Sequence, residues 1–395
     1  MPAPSHTNRR LPGFLLATGV VLIGANLRAP ITSLGPVLPD IQSGLALDGA
    51  AAGLLNALPL LLFAVLSLIA PQLGRRFGLE RVLGAAMAAI ALGTVLRSVW
   101  LPQGLWLGTI VLSCGIAFGN VLLPGLVKRD FPESAAGLIG LYAAAMAGMA
   151  GLSAGLAVPI ARLPFAAWRW SLGIWAALSL LTLLIWLPVM RADATQHASG
   201  TAQAAPARSV WRHPVAWQVS AFFAFHSLVF YSIVDWFASY VADAGISAAT
   251  AGGYLLVYQV VAVATNLGSA SLIRRVRDQT WLGFACGLRL LLATGGLLAA
   301  PHLALVWVIA GGMGAGIAMV TSLSLFALRT RDHHQVGALS GMAQFIGYAG
   351  AAVGPLLMGV LHDATHAWTA PLGLLILASL LVTLFATLAG RNRVI

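Results

Sequence analysis

Arg28 stands inside the first long apolar stretch of the chain, in the run Gly24-Ala25-Asn26-Leu27-Arg28-Ala29-Pro30-Ile31-Thr32. A permanent cation at bilayer depth costs about 3 kcal/mol on insertion scales, so it faces either a partner or a watery cavity. Counted from Phe14 at ~1.5 Å per helical residue, it lies roughly 21 Å along a helix, in the middle or outer half of an apolar layer. Its planar fork can make paired hydrogen bonds to an anionic oxygen or nitrogen, and Thr32 follows one turn on along the same face. The chemistry on offer is recognition of a small anion. The alternative is a clasp on backbone carbonyls or a buried acid.

A few other polar residues share this apolar setting. Asp235 is the only one of the eleven acidic residues that falls within a long apolar stretch, which makes it the obvious counter-charge or proton site. Tyr231 precedes it by one turn on the same face; its place near the end of its stretch also suits a solvated mouth residue. His226 titrates in a useful pH range and could carry a coupled proton, or act as a structural hydrogen-bonder. Nine positions separate it from Asp235, so the two point to opposite helix faces. Asn120 is followed one turn later by Pro124, which has no N–H and frees a carbonyl. Tyr142, Tyr258, Gln259, Gln344 and Tyr348 also lie inside apolar stretches. Tyr254 and Tyr258 share a face, as do Gln344 and Tyr348, a spacing that fits a cavity wall or polar glue between helices.

The elements that must position these side chains follow from composition. Of 395 residues, 59% are hydrophobic and only 8% charged, and the mean hydropathy is +0.89, so the chain is an all-α integral membrane protein. Stretches long enough to span a bilayer fall near 13–39, 49–70, 82–101, 104–127, 134–160, 167–189, 214–241, 249–272, 280–299, 303–327, 335–361 and 370–389. The net charge of +11 does not imply nucleic acid, because the basic residues alternate from loop to loop. With the N-terminus inside, most lie on the cytoplasmic side and only Arg162 and Arg169 outside, which predicts a multi-pass protein of the cytoplasmic membrane with both termini cytoplasmic. Arg28, Arg97 and Arg289 remain within spans; Arg97 is placed to snorkel, and Arg289 either reaches the inner headgroups or pairs with a group such as Asn266. The run after the basic first residues exceeds a signal-peptide core, so the first span is expected to be retained.

The polar interval 191–213 reads as a cytoplasmic linker between an N-terminal bundle, 1–190, and a C-terminal bundle, 214–395. The halves repeat: Leu126-Val127-Lys128-Arg129-Asp130 through Gly137-Leu138-Ile139-Gly140-Leu141 is similar to Ala327-Leu328-Arg329-Thr330-Arg331 through Ala338-Leu339-Ser340-Gly341-Met342, 201 positions later. Such self-similarity predicts two pseudo-symmetric six-helix bundles with a ligand site between them near the midplane. Small-residue runs at Gly148, Gly151, Gly155 and at Gly347, Gly350, Gly354 predict close helix contact at that seam. Thr321 is the repeat equivalent of Asn120, and Val229 that of Arg28.

These features bring a resemblance into view. The opening Asn26-Leu27-Arg28-Ala29-Pro30 with Pro36-Val37-Leu38-Pro39, the run Gly119-Asn120-Val121-Leu122-Leu123-Pro124-Gly125, and the segments Gly140-Leu141-Tyr142 and Leu339-Ser340-Gly341-Met342-Ala343-Gln344 resemble the cyanate and nitroimidazole transporter branch of the major facilitator superfamily. The resemblance implies the major facilitator fold, alternating access, and cyanate, a related small anion or a small heterocycle as solute. It adds weight to Asn120, Tyr142 and Gln344 as contacts. The superfamily's turn after the second span usually carries an acid where Arg75 stands here.

No phosphate-binding loop exists, and the single lysine, Lys128, lies in a turn, so a gradient must supply the energy. Cys114 and Cys286 sit in spans, and His333 and His334 are adjacent rather than at metal spacing. The expectation is a secondary transporter without metal or cofactor and without enzymatic activity, monomeric, with a small solute, the lipid bilayer and protons as its partners. The rival readings are a drug or toxic-compound efflux pump of the same fold, suggested by the aromatic crowding of 222–237, and, more distantly, a membrane sensor that does not transport.

Overall fold

The computed structural model describes residues 13–47, 49–99, 103–163, 167–197 and 210–395. It is helical, with no strand among the described residues. The first bundle contains α1 (Gly13–Asn26), α2 (Ala29–Thr32), α3 (Leu38–Leu45), α4 (Gly49–Ser67), α5 (Ala70–Phe77), α6 (Leu79–Leu96), α7 (Gly104–Asp130), α8 (Ala135–Ala161), α9 (Trp168–Gly173) and α10 (Trp175–His197). The second contains α11 (Pro214–Asp243), α12 (Ala248–Ile273), α13 (Thr280–Ala299), α14 (Ala304–Leu328), α15 (His333–Thr365) and α16 (Thr369–Gly390). Among the described residues, eleven stretches are long and apolar enough to cross a membrane, and a pair bent by 55°, Leu54–Ser67 with Ala70–Phe77, makes a twelfth if counted as one span. Of the expected linker, 191–197 continues α10, residues 198–209 lie outside the described residues, and Val210–Arg212 form a short 3-10 turn.

Proline decides where the first two spans break. Pro30 has no N–H to give the Asn26 carbonyl, and the helix stops at Asn26 and restarts at Ala29. Arg28 sits at this break, where its backbone is no longer helical. Asn26 pins the near side: its amide donates to the Thr182 hydroxyl at 2.8 Å and accepts from Ser179 at 2.6 Å, both on α10. Arg97 pins the far side. It does not snorkel: it is buried, donates to the Pro30 carbonyl and lies 3.3 Å from the Ser33 hydroxyl. The carbonyls at the end of a short helix lack partners, and a cation there is the natural cap. Ser67 and Pro71 repeat the device in the second span, where the Ser67 carbonyl is freed at the bend.

Within the second bundle α11 packs on α15 and α16, and α13 on α14 and α16. Between bundles, α8 lies on α12 and α14, while α15 lies on α4, α5 and α7. These contacts gather at the end that carries the basic turns: Gly140 meets Ala270 and Val320, Gly137 meets Arg274, Gly337 and Gly341 meet Pro71, and Gly125 meets the His333 carbonyl. At the opposite end Gly148, Gly151 and Gly155 of α8 and Gly252 and Gly253 of α12 have no atom in reach of a side chain. The molecule is thus closed at its basic end and open at the other. The glycine runs do not join the halves as expected: those of α8 face open space, and Gly347, Gly350 and Gly354 pack on Phe223, Ala224 and Leu228 of their own bundle.

Glu80, two residues past the turn glycine Gly78, supplies the acid that the turn lacks at Arg75. It pairs with Arg129, which also bonds Asp130 at 2.7 Å, tying α6 to the end of α7. Arg329 does the corresponding work in the second bundle without a carboxylate, donating to the Ala389 carbonyl at 2.8 Å and the Gly390 carbonyl at 2.7 Å. Arg289 is half-buried on α13 and shares no hydrogen bond with Asn266 among the described residues.

A candidate solute site between the bundles

The break at residue 28 turns the Arg28 side chain across the seam, where it donates to the Tyr231 hydroxyl of α11 at 3.1 Å. The Tyr348 hydroxyl of α15 interacts with the same guanidinium. Among the described residues no carboxylate pairs with Arg28, and its side chain is only half-buried although it lies deep. A guanidinium beside two neutral phenols, bonded to one of them, keeps its charge and most of its donors for another acceptor.

Beside it, towards the closed end, lies a small cavity. Its wall comes from both bundles: Leu27, Asn120, Leu123, Tyr142 and Met146 on one side, Phe223, Met319, Leu323, Gln344 and Tyr348 on the other. Tyr348 joins the cavity to Arg28 and packs against Phe63 and Phe223, with ring centroids 5.1 and 5.9 Å away. Three polar atoms of the wall, Asn120 Nδ2, the Tyr142 hydroxyl and Gln344 Oε1, are buried without a hydrogen-bond partner. Unpaired buried polar groups are costly, and a cluster of them around a cavity marks where a hydrogen-bonding guest belongs.

The remaining residues singled out by sequence are placed differently. Thr32 does not follow Arg28 across the seam; it bonds the Arg28 carbonyl at 3.0 Å and the Ser153 hydroxyl at 2.6 Å inside its own bundle. Tyr258 is buried against Gly311 and Gly312 of α14, and Gln259 beside it is half-buried; neither borders the cavity. His226 is buried among Phe222, Phe223 and Ser322, its ring nitrogen 3.4 Å from the Ser322 hydroxyl. Asp235 is exposed one turn beyond Tyr231 on the open side, and it faces away from His226 as the helical spacing requires. Tyr231 is the contact that sequence reasoning noticed only as a neighbour of Asp235. The repeat held a signal: Arg28 shifted by 201 positions falls on Val229, two residues before Tyr231.

Comparison with known proteins bears on the fold and the family. The chain is 41% identical over 382 residues to the 2-nitroimidazole transporter of Escherichia coli (strain K12), covering 96% of each chain. It is 27% identical over 346 residues to the cyanate transport protein CynX of the same organism, covering 87% of this chain and 89% of that one. The solved structure of the proton:xylose symporter XylE superposes with a TM-score of 0.75 at 14% identity, covering 94% of both chains, a likeness of fold. The sequence model of the Major Facilitator Superfamily matches residues 14–349, and with two helical bundles closing on a shared cavity, the chain belongs to that superfamily of transporters.

Proposed function

We propose that this transporter moves a small monovalent anion or small polar heterocycle, of the cyanate or nitroimidazole class, across the cytoplasmic membrane by alternating access. The observation that carries the reading is the Arg28 guanidinium, without a carboxylate among the described residues, next to a cavity where Asn120 Nδ2 and the Tyr142 hydroxyl are unpartnered donors for an anion and Gln344 Oε1 is an unpartnered acceptor for a heterocycle N–H. No cation lines the cavity itself and Arg28 alone stands beside it, which favours one negative charge or none. The names of the relatives support the same class.

In this reading Arg28 anchors the solute, Tyr231 and Tyr348 aim the guanidinium, and Asn120, Tyr142 and Gln344 orient what it holds. Asp235, exposed on the open side, is the group that would collect a coupled proton; His226, enclosed within its bundle, is worse placed. The basic end is the cytoplasmic one, both termini lie there, and the chain divides into bundles of 1–190 and 214–395 joined across 191–213. The deciding experiment measures thermal stabilisation of purified protein by cyanate and by 2-nitroimidazole, in wild type and Arg28→Ala. Stabilisation of wild type alone is expected; equal stabilisation of both proteins would reduce Arg28 to a structural part. Uptake into proteoliposomes that ignores an imposed pH gradient would remove the proton from the scheme.

A further inference from the structure

A buried bond across the seam belongs to Gln344. Its Nε2 donates to the backbone carbonyl of Asn120 at 2.9 Å, from α15 in one bundle to α7 in the other. That carbonyl is free because its helical partner would be the N–H of residue 124, and residue 124 is proline. In a membrane interior a freed backbone carbonyl must find a donor, and here the opposite bundle provides it. One turn nearer the basic end the pattern recurs: Gly341, three residues before Gln344, lies so close to the Ser67 carbonyl, freed by Pro71, that a Cβ would stand 2.5 Å from it. One face of α15 thus rests on two carbonyls that proline has released in the first bundle.

The second Nε2 hydrogen of Gln344 is also committed, to the Ser340 hydroxyl at 2.8 Å. The amide therefore has no donor to spare, while its Oε1, on the cavity wall, has no partner. An anion only accepts hydrogen bonds. It can engage this amide only by taking a hydrogen from Asn120 or Ser340.

We propose that Gln344 is the positioning residue that couples cavity occupancy to the seal at the basic end: it closes the seal through the Asn120 carbonyl, and a bound acceptor solute loosens the seal by competing for the same Nε2. The inference rests on the solute class proposed above. Pro124 is a distant member of the device, since it creates the acceptor without touching the solute.

The test uses full-length protein with Cys114→Ser, Cys286→Ala and Gly337→Cys. A Cβ at 337 meets its nearest atom, on Pro71, at an ordinary 3.8 Å, so the new thiol reports on the seal without breaking it. Labelling by a membrane-impermeant maleimide is followed in inside-out vesicles. Two variants weaken the cross-seam bond by independent routes, Gln344→Leu by deleting the donor and Pro124→Ala by restoring a helical N–H that competes for the Asn120 carbonyl. Each is expected to label about fivefold faster than its parent, the factor that one net hydrogen bond carries. Cyanate is expected to speed labelling of the parent and to leave Gln344→Leu unchanged. Labelling of both variants at the parental rate overturns the proposal, as does an equal response of Gln344→Leu to cyanate. Faster basal labelling in both variants, with cyanate and 2-nitroimidazole both inert on the parent, keeps the seal and overturns the solute class instead.

Discussion

A guanidinium offers direction where an ammonium offers only charge, and Arg28 is placed so that direction matters. Its hydrogen bond to Tyr231 at 3.1 Å aims the fork across the seam while leaving donors unused. Arg28→Lys keeps the charge and loses the fork, so it should weaken anion binding about tenfold with little change in melting temperature, read by calorimetric titration. A full wild-type affinity would mean that the site senses charge alone. The sequence disclosed Arg28 because a lone cation in an apolar run has few bland explanations. It misrepresented Arg97 for a related reason: nearness to the end of a span suggests snorkelling, whereas the carbonyl that holds it belongs to another helix 67 positions away. Distance from a span's end is visible in a sequence, and partners across helices are not.

At the scale of elements, the site depends on how closely α1 approaches α8. Gly24 faces Tyr142 so tightly that a Cβ would lie 2.8 Å from the Tyr142 Cβ and 3.0 Å from its carbonyl oxygen. Those atoms are fixed to backbone and cannot step aside, so Gly24→Ala must separate the helices, costing on the order of 1–3 kcal/mol and displacing the Tyr142 hydroxyl from the cavity. Gly119 makes a useful contrast, because a Cβ there strikes only the Leu27 Cδ2 at 2.4 Å, the far end of a flexible side chain. Gly24→Ala is expected to raise KM for transport several-fold more than Gly119→Ala; equal values would show that α1 and α8 can part without cost to the site. The twelve spans were legible because each needs a long apolar run, and the pause near Pro30 was marked by proline. The bend after Ser67 was less so, since Pro71 lies beyond the apolar count that ended the span at residue 70. The fate of Thr32 was hidden for the same reason: an unbroken helix would have carried it across the seam with Arg28.

The whole molecule is a balance between two closures, and this structure shows one of them. Contacts that hold the basic end shut exist only in this state, so a substitution that spoils one shifts the balance without touching the solute. Gly140 is the sharpest case. A Cβ added there would lie 2.1 Å from the Ala270 Cβ in the facing bundle, an atom with no freedom to turn away. In the state open at the basic end the two residues part and the clash disappears. Gly140→Ala therefore penalises one closure and spares the other, by an amount typical of overpacking, about 1–3 kcal/mol, or roughly 5- to 150-fold in the ratio of states. Spin labels at Arg75→Cys, exposed on α5, and Arg274→Cys, exposed in the turn after α12, would report it in a background without Cys114 and Cys286. The interlabel distances should move from a mainly short to a mainly long population. If they stay short while the protein melts earlier, the bundles absorb the added methyl by local repacking, and rigid-body closure at Gly140 is the wrong description of the seam.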